Sequence, residues 1–451
     1  MRFIDKSPVS FHVSQKTVTT DALYGLGIDR KKGGAAECIG FDGKEGVLRP
    51  GYSAAEIKIG EQTLVLPENC EPAEFWTVAG WNVNILLADK SGKMYICTDG
   101  HTFTLSEVAF SRKPEGVYAY ENGEVIVLSD TEKTAVFSEG TLTLREDIPP
   151  FEKAVFFRER LWILSPSEQN RLRYCAPLSI SDFTEEIGKG GYIDFPDRRG
   201  RIIALLPEEN GIYIVRRFGI QKLACEGDPL KFCLYDEKSV NSEIYANTVC
   251  EENGILYFLT ESGLASFDTK VKMLYPSVFP EGTDFSAATA DVCRGEYIFS
   301  LKNGKAKDEP GFLGVFRTDG GGGYFLRKNV EGLKTSDIGT GMRVVFVSDG
   351  KFCSLVPFSS SDRGVQHRLW KSAPSLPFGG IKCMLTRIWV QGRGMFFVTV
   401  KSETGTRRFV MQGDGDCYRQ VNLPGNAFTF IFETDGVAEI SGFTALYTSS
   451  E

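Results

Sequence analysis

Seven short β-rich apolar runs recur along the chain: 83–88 (VNILLA), 125–129 (VIVLS), 161–165 (LWILS), 212–215 (IYIV), 255–259 (ILYFL), 297–301 (YIFSL) and 343–348 (RVVFVS). Each is followed by a turn built on Gly, Asp or Ser, and their starts lie 42, 36, 51, 43, 42 and 46 residues apart. Intervals near forty suit one four-stranded sheet per period and are too long for simple hairpin repetition. Within a period, shorter alternating runs flank the apolar one. Residues 74–106 read as 75–78, 83–88, a turn at Lys90-Ser-Gly92, 94–97, a turn at Thr98-Asp-Gly100 and 102–105, which is a small antiparallel meander. The pattern predicts an all-β chain whose centre is a β-propeller of about seven blades. A six-bladed ring with a stray hairpin, or an eighth blade from residues 35–70, fits the same spacing.

The two ends read differently. Residues 1–60 have little periodicity and carry Gly25, Gly27, Gly33, Gly34, Gly40, Gly43 and Gly51. They are expected to form an extended arm, either closing a ring or packing on a neighbour. After the turn-rich break Ser372-Ala-Pro-Ser-Leu-Pro-Phe-Gly-Gly380, six apolar runs at hairpin spacing (382–390, 395–401, 407–411, 418–423, 427–433 and 437–446) predict a C-terminal β-sandwich. The expected organisation is therefore arm 1–60, propeller 61–374 and sandwich 375–451. Helical spacing over ten positions free of Gly and Pro is scarce, so α content should be small.

Composition narrows the function classes. The 451 residues are 42% hydrophobic and include 33 Phe and 48 Gly, as expected of half-buried strands joined by tight turns. A net charge of −8 leaves no excess of cations to neutralise phosphates, which argues against a dedicated nucleic-acid binder. No window approaches the ~20 apolar residues of a membrane-spanning helix, and Met1-Arg-Phe-Ile-Asp-Lys-Ser-Pro8 lacks the apolar segment of a secretory signal. The expectation is a protein made in the bacterial cytoplasm with no membrane partner.

Candidate chemistry is thin. The eleven cysteines form no C-x-x-C unit and read as free, buried thiols. Three histidines, His12, His101 and His367, leave little material for general-base or zinc chemistry. Asp99-Gly100-His101-Thr102 resembles the Asp-box turn of sialidase-like propellers and reads as a structural turn. Asp194, Asp197, Asp236 and Glu237 sit near blade turns without a distinguishing spacing. Gly413-Asp414-Gly415-Asp416 lacks the oxygen ligands and closing Glu of a calcium loop and reads as a hairpin turn. Gly320–Gly323 has no Gly-Lys-Ser/Thr to make a phosphate loop, and Gly25-Leu-Gly27 has Arg30 where a dinucleotide loop wants a third Gly. No catalytic, cofactor or metal site is assigned, and the chain reads as non-enzymatic. The one basic concentration is Arg158, Arg160, Arg171, Arg173, Arg198, Arg199, Arg201, Arg216 and Arg217. It is the candidate interaction surface, fork-shaped guanidinium groups suiting a neighbouring subunit or a DNA backbone; the plainer reading is pairing with acids of the same blades.

Several stretches resemble bacteriophage tail and neck proteins of β-propeller fold, the tail nozzle, stabilisation and hub-like group. They are Val155-Phe-Phe-Arg158-Glu-Arg160-Leu-Trp162-Ile-Leu-Ser165, Asn170-Arg171-Leu-Arg-Tyr174-Cys-Ala176 and Ile180-Ser-Asp182-Phe183. Gly191-Tyr-Ile193-Asp194, Gly254-Ile-Leu-Tyr-Phe258 and Trp370-Lys-Ser372 are similar to the continuation of that pattern. The likeness covers about residues 150–440 and is carried by strand and turn patterns. It implies a structural component of a phage or prophage virion, placed at the tail or neck, contacting other virion proteins and further copies of itself through propeller loops, with at most DNA passing through a channel. Two alternatives stand beside it: a carbohydrate-binding or glycoside-hydrolase-like propeller with a glycan partner, and a bacterial protein-interaction scaffold.

Overall fold

The apolar runs form strands buried on both faces, which is why they are continuously apolar rather than alternating. In the computed structural model, which describes residues 13–59, 61–78, 84–195, 199–305, 309–337, 341–358 and 366–450, they are Asn84–Asp89, Glu124–Ser129, Arg160–Leu164, Gly211–Arg216, Ile255–Thr260, Glu296–Asn303 and Met342–Ser348. Each is the second strand of its module. Strand accounts for 62% of the chain and helix for 3%.

Two compact units divide the chain. The larger comprises residues 54–314 and 328–356. It holds a propeller arrangement of six four-stranded antiparallel sheets, over residues 72–109, 115–144, 153–194, 202–239, 250–276 and finally 331–356 with Ser53–Glu56. Six of the seven expected repeats are thus complete sheets. The seventh, around residue 297, begins with the hairpin of Thr283–Cys293 and Glu296–Asn303, which Phe312–Arg317 extends, and the division between the units falls within that third strand.

Hydrogen bonds from module to module fix the ring. Tyr213 Oη donates to Gly254 O at 3.0 Å, Gly295 N donates to the Glu252 carboxylate at 3.1 Å, and Thr335 N donates to Asp291 at 2.6 Å. Tyr118 Oη accepts from Thr77 N at 3.1 Å, and the Thr77 hydroxyl meets that of Ser336. Apolar clusters fill the gaps between faces; Trp162, Tyr174 and Ile212 share one, and Trp76, Leu86 and Ile126 another.

The last sheet takes its outer strand, Ser53–Glu56, from the other end of the chain. Beyond that strand Ile57 N donates to Phe352 O at 2.8 Å, Phe352 N to Leu64 O at 3.1 Å and Leu66 N to Gly350 O at 2.9 Å. Ile57, Leu64, Phe75, Val345 and Phe352 pack in a single cluster, so the closure is sealed by burial as well as by hydrogen bonds.

The smaller unit gathers residues up to Ser53, Val315–Arg327 and Pro357 onward. The units therefore cut across the three consecutive segments expected from the sequence. The Gly-rich N-terminal region is not an isolated arm here: Val13–Thr20 pairs antiparallel with Ala438–Ser450, and Ala35–Ile39 with Arg368–Ser372. Open strand edges in the C-terminal region find their partners in this region.

The C-terminal apolar runs resolve into four strands rather than six. Runs 382–390 and 395–401 are one strand, Cys383–Ser402, and runs 407–411 and 418–423 are one strand, Gly405–Gly425. The two form one long antiparallel ladder in which Gly392 faces Gly415 and Gly394 faces Gly413. The stretch Gly413–Asp416, expected as a hairpin turn, is mid-strand. Glycines bend the ladder there without breaking it: Gly394 has φ +86° and Gly415 φ +135°, and a Cβ on Gly394 would sit 2.4 Å from Val437 O. Through the bend Cys383–Ser402 changes partner, from Ala438–Ser450 over residues 384–394 to Thr429–Thr434 over 397–401. The two halves of the sheet then face each other as sandwich layers, with the rings of Phe430 and Phe432 at 4.6 and 5.5 Å from that of Phe443.

Leu64→Ala should lower unfolding free energy by about 2–4 kcal/mol in urea denaturation, the range for a buried Leu truncation, and so report the closure. Gly394→Ala should lower the thermal midpoint of the full chain by several degrees, because it combines a forbidden φ with a backbone clash; an unchanged midpoint would show that the bend does not need glycine.

Candidate interaction surfaces and the axial channel

The innermost strands of the ring surround a channel of about 420 Å³ whose lining carries Glu74, Lys113, Glu115, Lys153, Asp291 and Lys334. A charge placed on a strand that faces the axis is desolvated and needs a partner. Lys113 pairs with Glu74, and Lys153 Nζ lies 2.9 Å from each oxygen of Glu115. Lys334 lies over the rings of Trp76 and Tyr118, at 5.7 and 5.3 Å. Asp291 accepts backbone N–H groups from Val292 and Thr335. Burial acts to raise the Glu74 carboxyl, but the facing Lys113 and Lys334 hold it below its ordinary value; burial acts to lower Lys113, and Glu74 and Glu115 hold it above. Sequence reading missed this lining. Its signal was a charged residue within or just before the first strand of a module, as at Glu74, Glu115, Lys153 and Lys334.

The arginine concentration is drawn largely into pairing, within modules at Arg160, Arg171 and Arg173 and between modules at Arg158 and Arg216. Arg160 is buried and donates to Cys175 O at 2.6 Å and Lys189 O at 2.7 Å, fastening a loop. Arg171 forms a two-pronged pair with Asp194 at 2.6 and 3.0 Å and stacks 4.0 Å above Tyr192. Arg173 donates to Glu168 at 2.8 Å, Arg158 to Glu209 O at 3.1 Å, and Arg217 to Glu243 at 2.7 Å. Arg216 is buried and donates to Asn170 at 3.1 Å. Arg199 is also engaged, whereas Arg201 is exposed with no side-chain partner among the described residues. Arg198 lies outside the described residues.

The remaining sequence candidates act as structure where they are described. Asp99 Oδ1 accepts the backbone N–H groups of His101 and Thr102 at 2.8 and 2.7 Å, which holds its carboxyl well below the usual range. His367 Nδ1 lies 2.9 Å from Asp435, and Asp194 is held by Arg171. His12, Asp197 and the side chains of Asp236 and Glu237 lie outside the described residues. Asp319 caps the glycine run by accepting Gly321 N–H at 2.7 Å. All eleven cysteines are free thiols; seven are buried and Cys233 is exposed.

The outermost strands of five consecutive sheets each present one large apolar side chain to solvent. These are Leu105, Leu144, Tyr192, Tyr235 and Met273, with 62, 49, 42, 40 and 38% of their surface exposed. Single exposed apolar residues are ordinary, but one on the outer strand of each of five successive sheets repeats with the modules.

The chain is a β-propeller joined to a large C-terminal sheet, a class its own strand order defines. No family model matches it, and no curated protein does. Among solved structures it is similar to the extracellular domain of BT4673 from B. thetaiotaomicron, with 13% identity over 80% of this chain and 46% of that one and a TM-score of 0.46. It is also similar to the Neurospora crassa Pan2 WD40 domain, with 8% identity over 68% and 98% and a TM-score of 0.44. A third is BamB from Moraxella catarrhalis, with 11% identity over 68% and 100% and a TM-score of 0.38. The chain spans about half the length of the BT4673 domain.

The Glu74–Lys113 pair should show itself in a double-mutant cycle. Either Glu74→Gln or Lys113→Met alone should cost about 1–3 kcal/mol, between the values of exposed and fully buried pairs, and the double variant less than the sum. Because Glu74 is held below its ordinary value of 4.5, its contribution is complete above that pH and is lost as pH falls through the folded-state value. Acid titration of stability should therefore be shallower in Glu74→Gln.

Proposed function

We propose that the chain is a non-enzymatic interaction scaffold, a structural component of a phage or prophage virion that holds neighbouring tail or neck proteins, and further copies of itself, around a rigid propeller. The observation that carries the reading is the exposed apolar side chain on each of five successive outer strands, at Leu105, Leu144, Tyr192, Tyr235 and Met273. Outer strands have one free edge, and an apolar side chain on each gives a neighbour a repeated contact point. The resemblance around Leu161-Trp162 and Asn170-Arg171 supplies the virion context, with synthesis in the bacterial cytoplasm before assembly.

The channel favours this reading over glycoside hydrolysis. A glycosidase acid must keep its proton near neutral pH, whereas Glu74 is biased toward ionisation by Lys113 and Lys334. At about 420 Å³ the channel has the size of a small-molecule pocket. A DNA passage would then belong to an assembly of copies.

The test is co-expression of the full chain with the products of its flanking genes, followed by size-exclusion chromatography with light scattering and negative-stain imaging. The expected result is a complex of defined mass containing a tail or neck protein. Replacing Leu105, Leu144 and Met273 by Ser should abolish that complex while leaving the thermal midpoint unchanged. A chain that remains monomeric with every flanking product would sink the proposal.

A further inference from the structure

The outward face of the C-terminal sheet carries an open cleft of about 570 Å³, whose lining includes Thr19, Asp21, Trp389, Gln391, Asp416 and Thr444. Four strands build this face: Val13–Thr20, Ala438–Ser450, Cys383–Ser402 and Gly405–Gly425. Thr19 stands opposite Thr444, Thr444 opposite Trp389 and Trp389 opposite Tyr418, so the four side chains make one row across the sheet. Their chain neighbours Ile388, Val390, Phe443 and Ala445 are buried on the other face, which leaves this row to solvent. Tyr418 is 63% exposed and Trp389 half-buried, and in the next row Gln391 stands opposite Asp416.

Donors and acceptors on this face are left unspent. Gln391 Oε1 accepts from Ser441 Oγ at 3.2 Å, which leaves the amide N–H groups to donate elsewhere. Thr444 Oγ1 donates to Thr19 Oγ1 at 3.3 Å, which leaves the Thr19 proton available. The Asp416 carboxylate and the Trp389 Nε1–H have no partner among the described residues. The charges are of both signs: Asp21 and Asp416 on the lining, and Arg387 two positions before Trp389 on the same strand. Arg393, further along that strand, is paired with Asp414 at 2.8 Å.

We infer that this face binds a neutral oligosaccharide, a sugar ring lying on Trp389 and Tyr418 while its hydroxyls exchange hydrogen bonds with Asp416, Gln391 and Thr19. The face of an aromatic ring carries negative charge density and takes the weakly positive C–H groups of a sugar. Each sugar hydroxyl is both donor and acceptor, which matches a carboxylate set beside amide, indole and hydroxyl donors. A charged ligand fits worse, since Asp21 and Asp416 oppose an anion and Arg387 opposes a cation. Backbone groups at the centre of the cleft are paired in the ladders, so a peptide strand has no edge to join there. The volume suits a small ligand of disaccharide size. The inference is independent of the scaffold reading, which uses the outer strands of the propeller.

The test applies the full chain to a printed array of neutral and anionic oligosaccharides, then titrates it with the strongest neutral binder while tryptophan emission is followed. Support would be retention by neutral glycans that share one sugar, with affinity falling about tenfold in Trp389→Ala, which removes the stacking surface. Asp416→Asn, which keeps the shape and removes the charged acceptor, should weaken binding about fivefold at an unchanged thermal midpoint. Trp389→Phe should weaken it less than Trp389→Ala and abolish the emission change, and raised salt should leave the affinity as it is, because the ligand carries no charge. A blank array, retention by anionic glycans only, or affinity indifferent to both Trp389→Phe and Asp416→Asn would each overturn the inference. Complex formation with flanking gene products would be untouched by those failures, so the two readings fail separately.

Discussion

The ring of the larger unit exists because a strand from near residue 54 completes a sheet whose other strands come from residues 331–356. Every module buries its faces against its neighbours, so an unclosed ring would leave two apolar faces in water and an unpaired edge between them. Joining segments some three hundred residues apart costs loop-closure entropy, but that cost grows only logarithmically with length. Burial of Ile57, Leu64 and Phe352 together with the backbone bonds at Ile57, Leu64 and Leu66 offsets it.

Closure also explains the character of the axial channel. First strands converge on a small space, where backbone groups pair with their own sheets and side chains must settle their charges locally. Lysines and carboxylates there come from different modules, Lys113 with Glu74 and Lys153 with Glu115, so each pair ties two blades. A buried or half-buried ion pair adds little net stability but penalises any arrangement that separates its members. The lining thus acts mainly on specificity, holding the modules in one order.

The second strands were legible in the sequence because strands buried on both faces are written as unbroken apolar runs, as at Leu161-Trp162-Ile163-Leu164. Outer strands were harder to read, since one free edge and one wet face relax the pattern. The closing strand, Ser53–Glu56, carries Ser, Ala and Glu and has no apolar signature at all. Glycine was misread in the C-terminal unit for a definite reason: Gly413-Asp-Gly415 obeys turn chemistry locally, and only its register with Gly392 and Gly394 makes it a bend in a continuing ladder. The arginine concentration was visible as composition, but composition cannot tell Arg160, spent on carbonyls, from Arg201, left exposed.

The pairing of Val13–Thr20 with Ala438–Ser450 sets a timetable for synthesis. At roughly 5–20 residues per second, a ribosome needs on the order of half a minute or more to deliver the C-terminal partner after the N-terminal strand has emerged. During that interval the early strand has an unpaired edge and no sheet to join. The nascent chain is exposed to mispairing for most of its translation, and shielding of its first sixty residues by a chaperone would have its greatest effect there.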